Sequence, residues 1–94
     1  MGAVADDARI FVTDHAMWRA AERFPRFDTV RIEREVRAAL AAGRLTADRL
    51  SVGLARHGTS LYVWTEDSER IYALKVNRTD EEEWIVTTTM RRGM

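Results

Sequence analysis

The apolar residues of this 94-residue chain change period near its middle, from a helical repeat to an alternating one. Up to Gly43 they recur at three- and four-residue spacing. At roughly 100° per residue, Ala16, Met17, Ala20, Ala21 and Phe24 share one side of a helix, and His15, Trp18, Arg19 and Glu22 share the other, with Arg23 at the edge. Thr13 or Asp14 can cap that helix. Pro25 ends it, because the residue before a proline is pushed out of helical geometry. Asp28 or Thr29 offers the next cap. Ile32, Val36, Ala39 and Leu40 then form the apolar stripe of a second helix, with Glu33, Arg34 and Arg37 outside and Gly43 placed to stop it. Ahead of both, Arg9 to Val12 reads as a strand.

From Ser51 onward the pattern is one of strands: Ser51 to Arg56, Ser60 to Glu66, Arg70 to Asn77 and Trp84 to Met90, rich in β-branched and aromatic residues. Turn-forming residues separate them at His57-Gly58, Asp67-Ser68-Glu69 and Asn77 to Glu83. Helices followed by strands predict an α+β fold in the order β-α-α-β-β-β-β. Two N-terminal helices would cover one face of a mainly antiparallel sheet of four to five strands. Leu61 and Val63 alternate with Tyr62 and Trp64. Tyr72, Leu74 and Val76 alternate with Ile71, Ala73 and Lys75, and Trp84, Val86, Thr88 and Met90 with Ile85, Thr87 and Thr89. Large side chains on both faces imply either a concave binding surface or a dimer seam opposite the helices, with Thr87 and Thr89 as polar residues lining it.

Residues 9–94 form a single domain on this reading, and residues 1–8 a flexible polar lead-in. The chain has no cysteine, which excludes a disulfide framework and thiolate chemistry. It holds no apolar run of membrane-spanning length, so no membrane partner and a cytoplasmic location are expected. Fifteen basic and fifteen acidic residues give zero formal charge, unlike a general nucleic-acid binder. The balance is uneven, however. Seven acids fall between Glu66 and Glu83, which leaves twelve basic and eight acidic side chains elsewhere, and Lys75 is the one lysine among the cations. No His, Asp or Glu pair stands at a metal-binding spacing and no glycine-rich phosphate loop occurs, so neither metal nor cofactor is expected.

The first helix carries the chemistry. A histidine beside arginines on a solvent face can handle a proton and a phosphate. His15-Ala16, Arg19 and Glu22-Arg23 spell HA-x-x-R-x-x-E-R. The second helix follows with Val36 and Ala39-Leu40, and the last strand ends in Ile85-Val86-Thr87. Together these resemble a small uncharacterised domain family allied to the RelE/ParE-type toxins, within the barnase–colicin–RelE group of ribonucleases. The resemblance implies a RelE-like fold with an RNA-facing concave sheet, and a toxin or toxin-related endoribonuclease that cleaves RNA without metal and is restrained by an antitoxin. In such a reaction the 2′-hydroxyl attacks the adjacent phosphate while a base, cations and an acid assist. His15, Arg19 and Arg23 are then the catalytic candidates, and Trp18, Lys75, Thr87 and Thr89 the substrate-binding ones. His57 can be a second proton carrier or simply a turn residue, and Tyr62, Trp64 or Tyr72 can stack bases or belong to the core. Three alternatives stand beside this. His15 can pin the helix by bonding a strand carbonyl or Glu22. Glu22 and Asp14 can neutralise the arginines. And the domain can be a non-enzymatic module, a phage or bacterial accessory protein that binds a host protein or homodimerises through Trp18 and the open sheet face.

Overall fold

Thr13 joins the first strand to the first helix by serving both. Its N–H and hydroxyl both donate to the Val86 carbonyl, at 3.1 and 3.0 Å, and its Oγ1 accepts from the Ala16 N–H at 3.1 Å. A single residue thus ends strand β1 (Arg9–Val12), caps helix α1 (Asp14–Arg23) and ties both to the far end of the chain. The computed structural model describes residues 9–24, 28–54, 60–78 and 82–92, apart from the side chains of 77, 78 and 82. The lead-in expected at residues 1–8, His57, and residues 79–81 of the acidic turn lie outside them.

Helix α2 (Thr29–Ala41) starts where the Asp28 carboxylate accepts from the Arg31 N–H at 2.9 Å. It stops at Gly43, whose φ of +77° lets its N–H reach the Leu40 carbonyl while the Arg44 N–H reaches Ala39. That double closure needs a residue in the left-handed region, which glycine enters without steric cost. Ile32, Val36, Ala39 and Leu40 are buried as their spacing requires, and on α1 Ala16 and Ala20 are buried while Ala21 is exposed.

The helices cross one face of a five-stranded sheet with the order β1-β5-β4-β3-β2, formed with β2 (Leu45–Thr46), β3 (Leu61–Trp64), β4 (Arg70–Arg78) and β5 (Glu82–Arg91). β1 runs parallel to β5 and every other pair is antiparallel, so the sheet is mixed. The fold is α+β in the expected element order, with one strand relocated. Ser51 and Val52, expected to begin a strand, belong to a 3-10 turn (Arg49–Val52) instead, and residues 55 and 56 of that expected strand lie outside the described residues. The Asp48 carboxylate accepts from the Leu50 N–H and the Ser51 hydroxyl, both at 3.0 Å, and so gives the backbone a local partner in place of a ladder. The two residues of β2 take over the strand's place in the order.

The expected alternation along β5 also breaks. Trp84 and Val86 face the helices, but the register shifts between Ala73 and Leu74, where Thr88 pairs with Ala73 and Val86 with Leu74. Thr87 is the extra residue of this bulge, and its hydroxyl donates to the Ala73 carbonyl at 3.2 Å. Beyond it the phase reverses, so Thr89 rather than Thr88 turns toward α1.

The second sheet face is partly filled by the chain itself. Val52 and Leu54, from the 3-10 turn and its exit, pack on Tyr62, Ile71 and Ala73, with Trp64 and Met90 at the margin. The Arg49 guanidinium lies over the Tyr62 ring at 5.0 Å and donates to its hydroxyl. Aromatic residues on both faces therefore reflect two cores. The uncovered part holds Phe11, more than half exposed, and Lys75.

Candidate functional site

The capped first turn fixes where the outer face of α1 begins, and that face carries an exposed histidine, an exposed tryptophan and an arginine in succession. Trp18 is 56% exposed. The His15 ring lies beside it with centroids 6.1 Å apart and planes tilted by 52°, and the Arg19 guanidinium covers it at 4.9 Å. Arg19 also donates to Glu22 at 3.0 Å, one helical turn on. His15 makes no hydrogen bond to a described residue, so neither the strand carbonyl nor Glu22 holds its imidazole. Of the two acids able to neutralise the arginines, Glu22 takes Arg19, and Asp14 takes neither.

Arg23 leaves this face and reaches down to the sheet, where its Nη1 donates to the Thr89 carbonyl at 2.6 Å. Burial, then the Arg19 charge, holds its guanidinium below the ordinary arginine range; Glu22 opposes this, and the Arg91 charge adds to it.

The other expected binding residues do not join this group. Thr89 is fully buried, and its hydroxyl donates to the Ala16 carbonyl at 3.1 Å, which fastens α1 to β5. Thr89→Val should cost about 1 kcal/mol, read as a lower chemical-denaturation midpoint at unchanged m-value. Thr87 sits in the bulge. Lys75 is exposed beside Ile85 on the opposite sheet face. Tyr62 and Tyr72 are buried, so Trp18 is the accessible stacking ring on this face.

A second cluster has no counterpart in the sequence reading. Glu35 of α2 receives Arg70 Nε at 3.0 Å and Nη2 at 2.7 Å, Arg31 Nε at 3.3 Å, and the Tyr72 hydroxyl. Burial alone would raise this carboxyl, but the hydrogen bonds from Arg70 and Tyr72, the Arg70 charge and the Arg31 bond together hold it below the usual carboxylate range. Burial and the Glu35 bond push the Tyr72 phenol up in turn. Beside the cluster lies a cavity of about 300 Å³ lined by Ala38, Arg44, Thr65, Glu66, Asp67 and Arg70 in addition to Glu35. Arg44, on its wall, donates to the Trp64 carbonyl at 2.8 Å. With both Glu35 oxygens held, the cluster clamps α2 to β4. The detectable sequence signal was position, since Glu35 stands three residues after Ile32 and four before Ala39, on the edge of the buried stripe.

Among the described residues no group of three His, Asp or Glu side chains could hold a metal ion, and no helix is long and apolar enough to cross a membrane. Neither a family model, nor a curated protein, nor a solved structure matches this chain.

Proposed function

We propose that this chain is a RelE-like, toxin-related protein that binds single-stranded RNA over the outer face of α1 and cleaves it by transesterification. The observation that carries the reading is the exposed Trp18 ring between His15 and Arg19. An accessible indole stacks a base, a guanidinium holds a phosphate, and an imidazole moves a proton near neutral pH. His15 takes the proton of the 2′-hydroxyl as its oxygen bonds to phosphorus. The bond to the 5′-oxygen breaks, water protonates that oxygen, and a 2′,3′-cyclic phosphate and a 5′-hydroxyl remain. Arg19 offsets the extra negative charge of the transition state.

The test is incubation of end-labelled single-stranded RNA with the protein in excess chelator, together with expression in cells lacking any antitoxin. Cyclic-phosphate products and growth arrest are expected. Intact RNA and normal growth beside folded protein would sink the reading. Trp18→Ala should weaken RNA binding by about 1–3 kcal/mol, the usual worth of one base stack, measured by fluorescence anisotropy.

A second reading draws on the Arg19–Glu22 pair, which already neutralises one of the arginines. On it, Trp18 anchors a protein partner or a second copy, and the domain is not an enzyme. Trp18→Ala then abolishes the partner complex or dimer and leaves RNA affinity unchanged.

A further inference from the structure

The cavity beside the Glu35 clamp holds charges that the fold itself does not use. On its wall Glu35 and Arg70 satisfy each other, which leaves Arg44, Glu66 and Asp67. Arg44 is half-buried and fixed through Nε alone, on the Trp64 carbonyl, so its two Nη groups have no hydrogen-bond partner among the described residues. Glu66 is exposed on the cavity wall, and its carboxylate bonds to no described residue. Asp67 is steadied by the Thr65 hydroxyl and by the Glu69 N–H at 3.0 Å. Both bonds fall on Oδ1, which leaves Oδ2 open to a ligand. Those bonds, the Thr65 one first, hold the Asp67 carboxyl below the usual carboxylate range and keep it ionised.

Elsewhere in this domain opposite charges meet: Arg19 with Glu22, and Arg31 and Arg70 with Glu35. Arg44 lines the same cavity as Glu66 and Asp67, yet it pairs with neither. A solvated hairpin turn accounts for the two acids taken alone, and the Trp64 carbonyl accounts for Arg44 as a strut. Neither accounts for charges of both signs lining one space unpaired. A small ligand that carries both signs does, because it gives each of them a partner.

The number of charges narrows the class. With Glu35 and Arg70 cancelling, the lining holds one cation and two anions. The complementary ligand has one carboxylate and two cationic groups. A guanidinium fork takes a carboxylate two oxygens at a time, and the fork of Arg44 is pre-set by its Nε bond. A volume of about 300 Å³ stands at the lower end for ligand pockets, which suits a single amino acid.

We propose that this cavity binds a free basic α-amino acid, with its carboxylate on Arg44 and its two cationic groups on Glu66 and Asp67. The site shares no residue with the outer face of α1 and stands or falls apart from the RNA reading. A peptide ending in arginine or lysine would supply the carboxylate and the side-chain cation. It would lack the α-ammonium, so it leaves one of the two acids unanswered.

The probe is L-arginine, titrated at constant ionic strength into ¹⁵N-labelled protein and followed by amide NMR shifts. Saturable shifts at Ala38, Thr65 and Asp67 are expected, with a Kd of about 1 mM, ordinary for a ligand of this size. L-Argininamide lacks the carboxylate, N-acetyl-L-arginine the α-ammonium and L-norleucine the side-chain cation. Each should bind about tenfold more weakly, the usual cost of one charged hydrogen-bonding group. Arg44→Gln and Glu66→Gln should each weaken L-arginine binding by a similar factor, whereas Asp14→Asn, on α1, should stay within about twofold of wild type. Melting curves confirm folding, and the exposed Glu66 keeps the test decisive if Arg44→Gln does not fold. Shifts that do not saturate, or that fall outside the cavity, overturn the proposal. So does unchanged affinity in Glu66→Gln. Equal binding of argininamide overturns it in favour of a plain acidic patch, and equal binding of N-acetyl-L-arginine in favour of a peptide C-terminus.

Discussion

Glu35→Ala should destabilise the fold by about 3 kcal/mol, because it strands the Arg70 guanidinium and the Tyr72 hydroxyl in a half-closed pocket. The figure belongs at the low end for a broken buried pair, since the Glu35 and Arg70 side chains keep 17% and 15% of their surface exposed. A domain of this length has a total stability of roughly 5–14 kcal/mol, so the loss would be a large share of it. The expected readout is a melting temperature lower by more than about 10 °C. Tyr72→Phe removes one hydroxyl and leaves the charge pair, so about 1 kcal/mol is expected. Equal effects from the two substitutions would mean that packing rather than charge holds α2 to β4.

The same carboxylate gives stability a pH dependence with a definite sign. Glu35 is held below its ordinary range in the folded state, so its contribution is present in full above the unfolded carboxylate value. It fades as pH falls through the lower, folded one. Compared with Glu35→Gln, the wild-type protein should be more stable at neutral pH, and the gap should close below about pH 4. Denaturant titrations at a series of pH values measure it. A gap that stays constant into acid would show that the charge contributes nothing.

The second large effect is expected in activity. His15→Ala should slow RNA cleavage by about 10²–10⁴-fold, the usual worth of a positioned proton carrier. The substitution is at an exposed position with no hydrogen bond to a described residue, so the melting temperature should hardly move. That separates chemistry from folding, which Arg23 does not allow, because its bond to the Thr89 carbonyl also joins α1 to the sheet. Single-turnover rates with the same RNA, read beside melting curves, make the comparison. Loss of activity together with loss of fold would instead make His15 a structural residue.

The two helices were legible because each carries its own start and stop. Asp28, Gly43 and the stripe from Ile32 to Leu40 act within a few residues of chain, and the structure uses all of them. The long strands were legible for the same reason. What failed depended on non-local competition. Ser51 to Arg56 has strand-like composition, yet Asp48 offered nearer hydrogen bonds to Leu50 and Ser51 where the segment begins. The bulge at Thr87 is set by the ladder with β4, and it moves Thr89 from a supposed binding surface into the core. The outer face of α1 was readable from periodicity alone. The Glu35 clamp was not, since Arg70 and Tyr72, the partners that tie it to the sheet, lie 35 and 37 residues away and no local rule links them.

The parallel pairing of β1 with β5 places the first of the described strands beside the last. β1 is an edge whose one neighbour is β5, so it has nothing to pair with until Trp84, Ile85 and Val86 have been made. Thr13 waits for the same residues, because its N–H and hydroxyl both seek the Val86 carbonyl. The helical hairpin can form from local contacts, but it cannot be seated until the whole meander has returned across the sheet. Assembly is therefore governed by a contact more than seventy residues long, which favours slow closure and leaves the helices' apolar faces uncovered during synthesis. The α1 surface therefore gains a fixed support only once β5 has been made.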